Sequence, residues 1–248
     1  MTTPPSPPST AGTTSPPQPI VVSDMDGTLA TVDTWRGVHA WILANRPSAA
    51  ARRFVRIRLP RVALAKAGLL DKEAFRARWL EDQAQLLRGL PEARLDEMGA
   101  WVVAEHLWPA RRQAAIDAVE AVAAGARATH PGARLVLATG AFQPVADAFA
   151  SRMGADVALG TPLEVLDGIA TGRLLRPTQA GEAKALAVAA EAGGGEVLAA
   201  FGDTVADIPL LRLATHGVAV APDRGLRREA AKRGWSILED AAARPSRA

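Results

Sequence analysis

The chain has no cysteine among its 248 residues. That removes disulfides, thiol catalysis and thiolate metal sites together, and it is compatible with a reducing compartment. No apolar run approaches the length needed to span a bilayer. The first residues show neither the basic start nor the apolar stretch of a secretory signal, so a cytoplasmic location is expected. Aromatic residues are only 4% of the chain while alanine is abundant, which favours helices and small-residue packing. Several site signatures are missing as well. No G-x-S-x-G occurs, so a serine-hydrolase reading has no support. Gly193-Gly194-Gly195 lacks a following Lys-Ser/Thr and reads as a turn, not a P-loop. The four histidines (His39, His106, His130, His216) are scattered, without the spacing of a metal site.

What remains is an ordinary globular composition, 48% hydrophobic and 22% charged, on a chain long enough for one core or a core with a smaller appended domain. The sequence pI is about 9.9, but the net charge is only +3. That small basic excess suits a phosphorylated small molecule, an acidic membrane surface or nucleic acid about equally.

Residues 1–18 are, after Met1, mostly Pro, Ser and Thr with no bulky apolar residue. Such a segment cannot offset its ordering entropy by burial, and a disordered tail is expected there, with a second short tail at 241–248. Ile20, Val21 and Val22 then form a short apolar run ending at Ser23-Asp24, as a buried strand would. Similar runs recur at 134–138 (RLVLA), 196–201 (EVLAAF) and 217–221 (GVAVA), separated by helical patterning. Residues 157–175 read as a strand followed by a hairpin around Asp167-Gly168. Near-continuous apolar strands alternating with helices predict an α/β fold with a doubly wound, Rossmann-like parallel sheet.

About 100 residues separate the first two strands, far more than one crossover needs. They are helical in pattern: Trp35, Val38, Trp41 and Ile42 make one stripe, and Asp71 is placed to cap a helix carrying Phe75, Trp79, Leu86 and Leu87. Pro91 and Pro109 sit where first-turn prolines would open two more helices. The expected organisation is a core of residues 19–33 and 128–240 with an inserted all-helical cap at 34–127.

Polar residues cluster at the strand ends. Asp24 and Asp26 follow the first strand, Thr139 and Gly140 follow RLVLA, and Asp203 follows EVLAAF. In open parallel sheets ligands bind just beyond the carboxyl ends of the strands. Carboxylates gathered there would raise one another's pKa, and a divalent cation with a preference for hard oxygen ligands, Mg²⁺, resolves the conflict.

These residues resemble the motifs of the haloacid-dehalogenase-like hydrolase superfamily. Asp24-Met25-Asp26-Gly27-Thr28-Leu29 is similar to its first motif, followed in order by Thr139 in ATGAF, Lys184 in GEAK, and Asp203 and Asp207 in GDTVAD. DGIATGRL, GEAK and FGDTVADIPLL most resemble the phosphoserine-phosphatase-like branch, whose helical cap follows the first motif. The resemblance implies a Mg²⁺-dependent phosphatase acting on a phosphorylated small molecule. Asp24 would be the nucleophile that forms an aspartyl-phosphate, and Asp26 the general acid and base. Mg²⁺ would be held by the Asp24 carboxylate, the Asp26 backbone carbonyl and Asp203. Thr139, the Gly140 amide and Lys184 would hold the phosphoryl oxygens, with Asp207 steadying Lys184 or a metal-bound water.

Two further positions bear on substrate. Asp33 stands where that branch carries a cap-facing Glu, and Arg78 matches its carboxylate-reading cap arginine by spacing. Asp207 follows Ala206 where an Asn is usual. Phosphatase chemistry survives these departures, whereas phosphoserine as the substrate does not follow from them. Arg52, Arg53, Arg56, Arg58, Arg61 and Lys66 form a basic, acid-free stretch, read as a solvated helix face or a contact for an anionic membrane at 52–66. Two alternatives remain: a phosphotransferase using the same intermediate with a non-water acceptor, and a basic membrane- or nucleic-acid-binding protein on an idle scaffold. The intact motif set argues against the second, and no nucleic-acid partner is expected.

Overall fold

The computed structural model describes residues 17–54 and 72–240. The first strand, β1 (Ile20–Ser23), is buried along its whole length. Ile20 and Val22 join one apolar layer, Val21 the other. This is the reason for the unbroken apolar run: a strand covered on both faces has no polar side to alternate with.

Around β1 lie β2 (Arg134–Phe142), β3 (Val157–Thr161), β6 (Val197–Gly202), β7 (Ala214–Val220) and β8 (Ser236–Leu238). All are parallel neighbours in the order β3-β2-β1-β6-β7-β8. The sheet is thus wound outward in both directions from its centre, and the direction of winding reverses between β1 and β6. A crevice opens at such a reversal, because the crossovers on either side leave to opposite faces. The expected doubly wound sheet is the observed one. A separate hairpin pairs β4 (Leu163–Leu166) with β5 (Ile169–Leu174). Its turn residues Asp167 and Gly168 have φ of 50° and 74°, as a tight two-residue hairpin turn requires.

Between β1 and β2 the described elements are α1 (Thr34–Asn45), α2 (Lys72–Leu87), α3 (Glu92–Val102), a π turn (Val103–Leu107), a 3-10 turn (Trp108–Ala110) and α4 (Gln113–Thr129). Pro91 precedes α3 directly, as its fixed φ suits. Pro109 opens no helix of its own. It lies in the 3-10 turn, and α4 starts four residues later. The expected insert at 34–127 also contains α4, which packs against β1, β2 and β6 as a sheet-covering helix. Asp71 and the basic residues Arg56, Arg58, Arg61 and Lys66 lie outside the described residues, whereas Arg52 and Arg53 are exposed. No helix among the described residues is long and apolar enough to cross a membrane.

The core's remaining helices are α5 (Gln143–Met153), α6 (Gly181–Ala192), α7 (Ile208–Leu213) and α8 (Arg224–Arg233). The helical insert docks on this frame at a glycine. A Cβ on Gly99 of α3 would stand 2.2 Å from the Pro144 carbonyl oxygen at the start of α5. Only a bare Cα lets the two backbones approach that closely.

Candidate active site

The crevice between β1 and β6 holds four carboxylates and one lysine. The Asp24 amide donates to the Phe201 carbonyl at 3.0 Å, which ties the end of β1 to β6. The buried Asp24 carboxylate has both oxygens engaged: Lys184 Nζ donates to Oδ1 at 2.5 Å and Thr28 Oγ1 to Oδ2 at 3.0 Å. Thr28 Oγ1 also lies 3.3 Å from Asp203 Oδ1, so this hydroxyl sits between the two acids. Lys184 reaches the site from the first turn of α6 and also donates to Asp207 Oδ1 at 2.8 Å. The other Asp207 oxygen accepts from the Asp203 and Thr204 amides at 3.3 and 3.2 Å and from Thr204 Oγ1. Asp207 therefore does two local jobs, closing the 3-10 turn at Val205–Asp207 and fixing the lysine.

Gly27 makes room for this arrangement. Its φ is +84°, and a Cβ there would lie 2.1 Å from Asp203 Oδ2. The glycine of the DMDGT segment is thus required twice, by backbone conformation and by the carboxylate that lies over it.

Asp26 is turned aside. Its carboxylate accepts from Thr34 Oγ1 and from the Thr34 amide at 3.2 Å, at the N-terminus of α1. The first helix of the insert is thereby capped by the acid two residues after Asp24, in the absence of a side-chain cap from Asp33. Thr139 and Gly140 are not beyond β2 but within it, since the strand continues to Phe142. Pairing with β3 breaks between Ala138 and Phe142, which frees this stretch to face the cavity. Thr139 Oγ1 accepts from the Ala141 amide at 3.2 Å, and the Gly140 carbonyl accepts from Thr161 Oγ1 at 3.1 Å.

Burial dominates the electrostatics. It raises Asp24 above the usual carboxylate range, with Lys184 pulling the other way. It pushes Asp26 up to about 7, against the hydrogen bonds from Thr34. Asp203 is pushed up to about 8 by burial and then by the charges of Asp24 and Asp207. Burial works the same way on Asp207, but Lys184 and the backbone amides outweigh it and hold that acid low. For Lys184 the desolvation that would lower its pKa is overcome by Asp207 and Asp24, which keep it charged.

Asp24, Asp203 and Asp207 each place an oxygen within 4.8 Å of the others. Lys184 and the backbone amides hold Asp207 low while Asp24 and Asp203 are both raised, so the acids left short of positive charge are Asp24 and Asp203. Hard carboxylate oxygens with a mutual repulsion of this size fit Mg²⁺.

A cavity of about 580 Å³ connects these groups. Asp24, Asp26, Asp33, Thr139, Gly140, Lys184, Asp203 and Asp207 all line it. Arg78 does not: it is exposed, and α2 presents Phe75, Trp79, Leu80 and Gln83 to the cavity instead. Reading the residues in order overlooked Thr28, Thr34 and Gln83. Thr28 lies inside the DMDGT segment and is marked by it, whereas nothing local in the sequence marks Thr34 or Gln83.

The family model of the haloacid dehalogenase-like hydrolases matches residues 21–212. The phosphoserine phosphatase SerB1 of Mycobacterium tuberculosis is 32% identical over 142 residues, 56% of this chain and 43% of that protein. The chain spans less than half the length of the first curated relatives it matches. A crystal structure of a protein of unknown function from Bordetella pertussis Tohama I superposes with a TM-score of 0.68 at 26% identity, covering 89% of this chain and 98% of that one. A phospho-aspartyl intermediate analogue of phosphoserine phosphatase shares the fold, with a TM-score of 0.52 at 19% identity over 90% of this chain and 93% of that one.

Proposed function

Since the chain belongs to the haloacid dehalogenase-like hydrolase family, we propose that it is a phosphatase that hydrolyses a phosphate monoester with the Asp24 carboxylate as nucleophile. The observation that carries this reading is the buried contact of Lys184 with Asp24, on a cavity shared with Thr139 and Gly140. A carboxylate and a phosphate dianion repel each other, and a lysine kept charged between them lowers that barrier. The name of the mycobacterial relative supports phosphomonoester chemistry. We take residues 34–111 as the helical cap over the site.

An Asp24 oxygen bonds to phosphorus as the bond from phosphorus to the leaving oxygen breaks, and Asp26 gives its proton to that oxygen. A pKa of about 7 keeps a fraction of Asp26 protonated near neutral pH. To act, Asp26 leaves Thr34 and turns into the cavity. Water then attacks phosphorus, Asp26 takes the water's proton, and phosphate departs with the Asp24 carboxylate restored. Thr139, the Gly140 amide and Lys184 hold the phosphoryl oxygens throughout. Mg²⁺ would be held by Asp24, Asp203 and the Asp26 backbone carbonyl, and when bound it supplies counter-charge to nucleophile and phosphate together.

The test is hydrolysis of p-nitrophenyl phosphate with and without Mg²⁺. Chelator and Asp24→Asn are each expected to abolish turnover, and unchanged turnover in the Asp24→Asn protein would sink the mechanism. Adding an alcohol such as homoserine and following phosphate transfer to it separates a hydrolase from a phosphotransferase.

A further inference from the structure

The chain leaves the core for the helical insert through residues 29–31 and returns through residues 110–112, and the two crossings are bonded to each other. The Thr31 amide donates to the Ala110 carbonyl at 2.9 Å and the Arg112 amide to the Leu29 carbonyl at 2.7 Å. Ala30 and Arg111 form an antiparallel bridge between these two bonds. Arg112, the last residue of the return, also reaches back with its side chain. Its Nε–H donates to the Gly27 carbonyl at 3.1 Å, and its Nη1 pairs with Asp240, just past β8. Only 16% of this arginine side chain is exposed. Backbone and guanidinium of one residue thus hold the turn after Asp24 at two of its carbonyls.

Gly27 is where such a hold matters. Its bare Cα lies against the Asp203 carboxylate, which leaves no room for a Cβ. The peptide before it carries the Asp26 carbonyl. The peptide after it carries the carbonyl that Arg112 binds, and Thr28 on the far side of that peptide places its hydroxyl between Asp24 and Asp203. A glycine backbone has more freedom than any other, so neighbours must fix how these two peptides are turned. The turn's own bonds run from the Gly27 amide to Ala30 and from the Leu29 and Ala30 amides to Met25. Among the described residues they leave the Gly27 carbonyl to Arg112. A charged donor makes the stronger bond to a carbonyl, and the planar guanidinium serves Gly27 through Nε while an Nη serves Asp240. Arg112 does not line the cavity.

Resting on the Mg²⁺ site of the Asp24 phosphatase reading, we infer that Arg112 is a positioning residue for that site: it holds the Gly27 turn in the form that Asp203 and the Asp26 carbonyl need in order to share a cation. The experiment is calorimetric titration of the metal-free protein with Mg²⁺, for the wild type, Arg112→Met and Arg134→Met. Arg134 supplies the comparison, being another partly buried arginine paired with an acid, Glu191. It is the first residue of β2, at the end of the sheet away from the site. Arg112→Met is expected to weaken Mg²⁺ binding by about tenfold or more, as loss of a group that orients a metal ligand does. Arg134→Met is expected to lower Tm and leave Mg²⁺ affinity unchanged. The Mg²⁺ concentration giving half-maximal hydrolysis of p-nitrophenyl phosphate should rise in Arg112→Met by the same factor as the binding constant, while KM at saturating Mg²⁺ stays at the wild-type value. If Arg112→Met does not fold, Arg112→Lys carries the comparison, because it keeps the charge and lacks the Nε–H.

Wild-type Mg²⁺ affinity in the Arg112 variant, or an equal loss in Arg134→Met, overturns the inference and leaves the phosphatase reading intact. A wild-type protein that binds no Mg²⁺ overturns it as well. A wild-type protein that binds Mg²⁺ and hydrolyses no phosphate monoester strikes the phosphatase reading instead, and weakened Mg²⁺ binding in Arg112→Met then still supports the role of Arg112.

Discussion

Lys184 neutralises two buried acids at once, and this makes it the residue on which the site's electrostatics turn. Its replacement by Met leaves Asp24 and Asp207 buried without their counter-charge. Breaking a buried ion pair from one side costs about 3–5 kcal/mol, so Lys184→Met is expected to lower the urea midpoint accordingly and to abolish turnover. The loss should grow with pH. Without the lysine both carboxylates are raised in the folded state, so the folded protein holds more protons than the unfolded one. Stability is then highest below the ordinary carboxylate pKa and is lost as pH rises. Urea titrations near pH 5 and near pH 8 check this, and an equal loss at both would contradict it. Gly27→Ala tests a different feature. Its methyl meets the Asp203 carboxylate and its φ is positive, a strain of about 1–2 kcal/mol. The variant is expected to remain folded, with a native circular dichroism spectrum, and to lose at least about tenfold in Mg²⁺ affinity by titration, the effect expected when a residue supporting a metal ligand is disturbed.

At the scale of elements, two of the contacts that join the helical insert to the core among the described residues are made backbone to backbone. One is the close approach of α3 to α5 at Gly99. The other is the hairpin, where Gly89 donates to the Ala170 carbonyl, Ala170 to the Leu90 carbonyl and Glu92 to the Gly168 carbonyl, each at 2.8–2.9 Å. These bonds join the hairpin to the loop between α2 and α3. Alanine in place of glycine inside a helix ordinarily stabilises by up to about 1 kcal/mol. At Gly99 the sign should reverse, because the new methyl meets a backbone oxygen that cannot rotate away. Gly99→Ala is expected to cost about 1–3 kcal/mol, as overpacking does, and to reduce kcat/KM by displacing α1 and α2 from the cavity. A stabilised Gly99→Ala protein would show that the insert is free to shift.

The same elements show what can be read from residue order. β1, the hairpin at Asp167-Gly168 and the placement of Asp24 and Asp203 at strand ends were legible, because each is set by a local rule: a double-sided strand, a turn with positive φ, a carboxyl-end crevice. The continuation of β2 through Thr139 and Gly140 was not, since a Thr-Gly step reads locally as the end of a strand. Nor was the choice of Gln83 over Arg78. Helix α2 carries Phe75, Trp79, Leu80, Ala84 and Leu87 around much of its circumference, so no single stripe tells which residues face the site. That face is decided by docking against α1 and β5, a long-range fact. Pro109 misled for a related reason: a proline suits the first turn of any helix, including a single 3-10 turn.

For the molecule as a whole, the crevice between β1 and β6 stores charge repulsion that a cation is suited to relieve. Without metal, Asp203 keeps its proton up to about pH 8 and Asp26 up to about pH 7, while in the unfolded chain both would lose it near 3.8. The folded state therefore binds more protons across that window, and metal-free stability falls as pH rises from about 4 to about 8. Mg²⁺ competes with the proton for the same oxygens, so its binding releases protons and strengthens with pH. Affinity should rise by up to roughly tenfold per pH unit below about 8 if one proton is displaced. At one fixed millimolar Mg²⁺ concentration, the increase in Tm over the metal-free protein is accordingly expected to be larger near pH 8 than near pH 6. Asp203→Asn cannot exchange a proton for a cation there, and its Mg²⁺-dependent shift should be small at both values. A shift that shrinks toward pH 8, or one that survives intact in Asp203→Asn, would place the cation away from Asp203 and leave the repulsion in the crevice to be relieved by Lys184 alone.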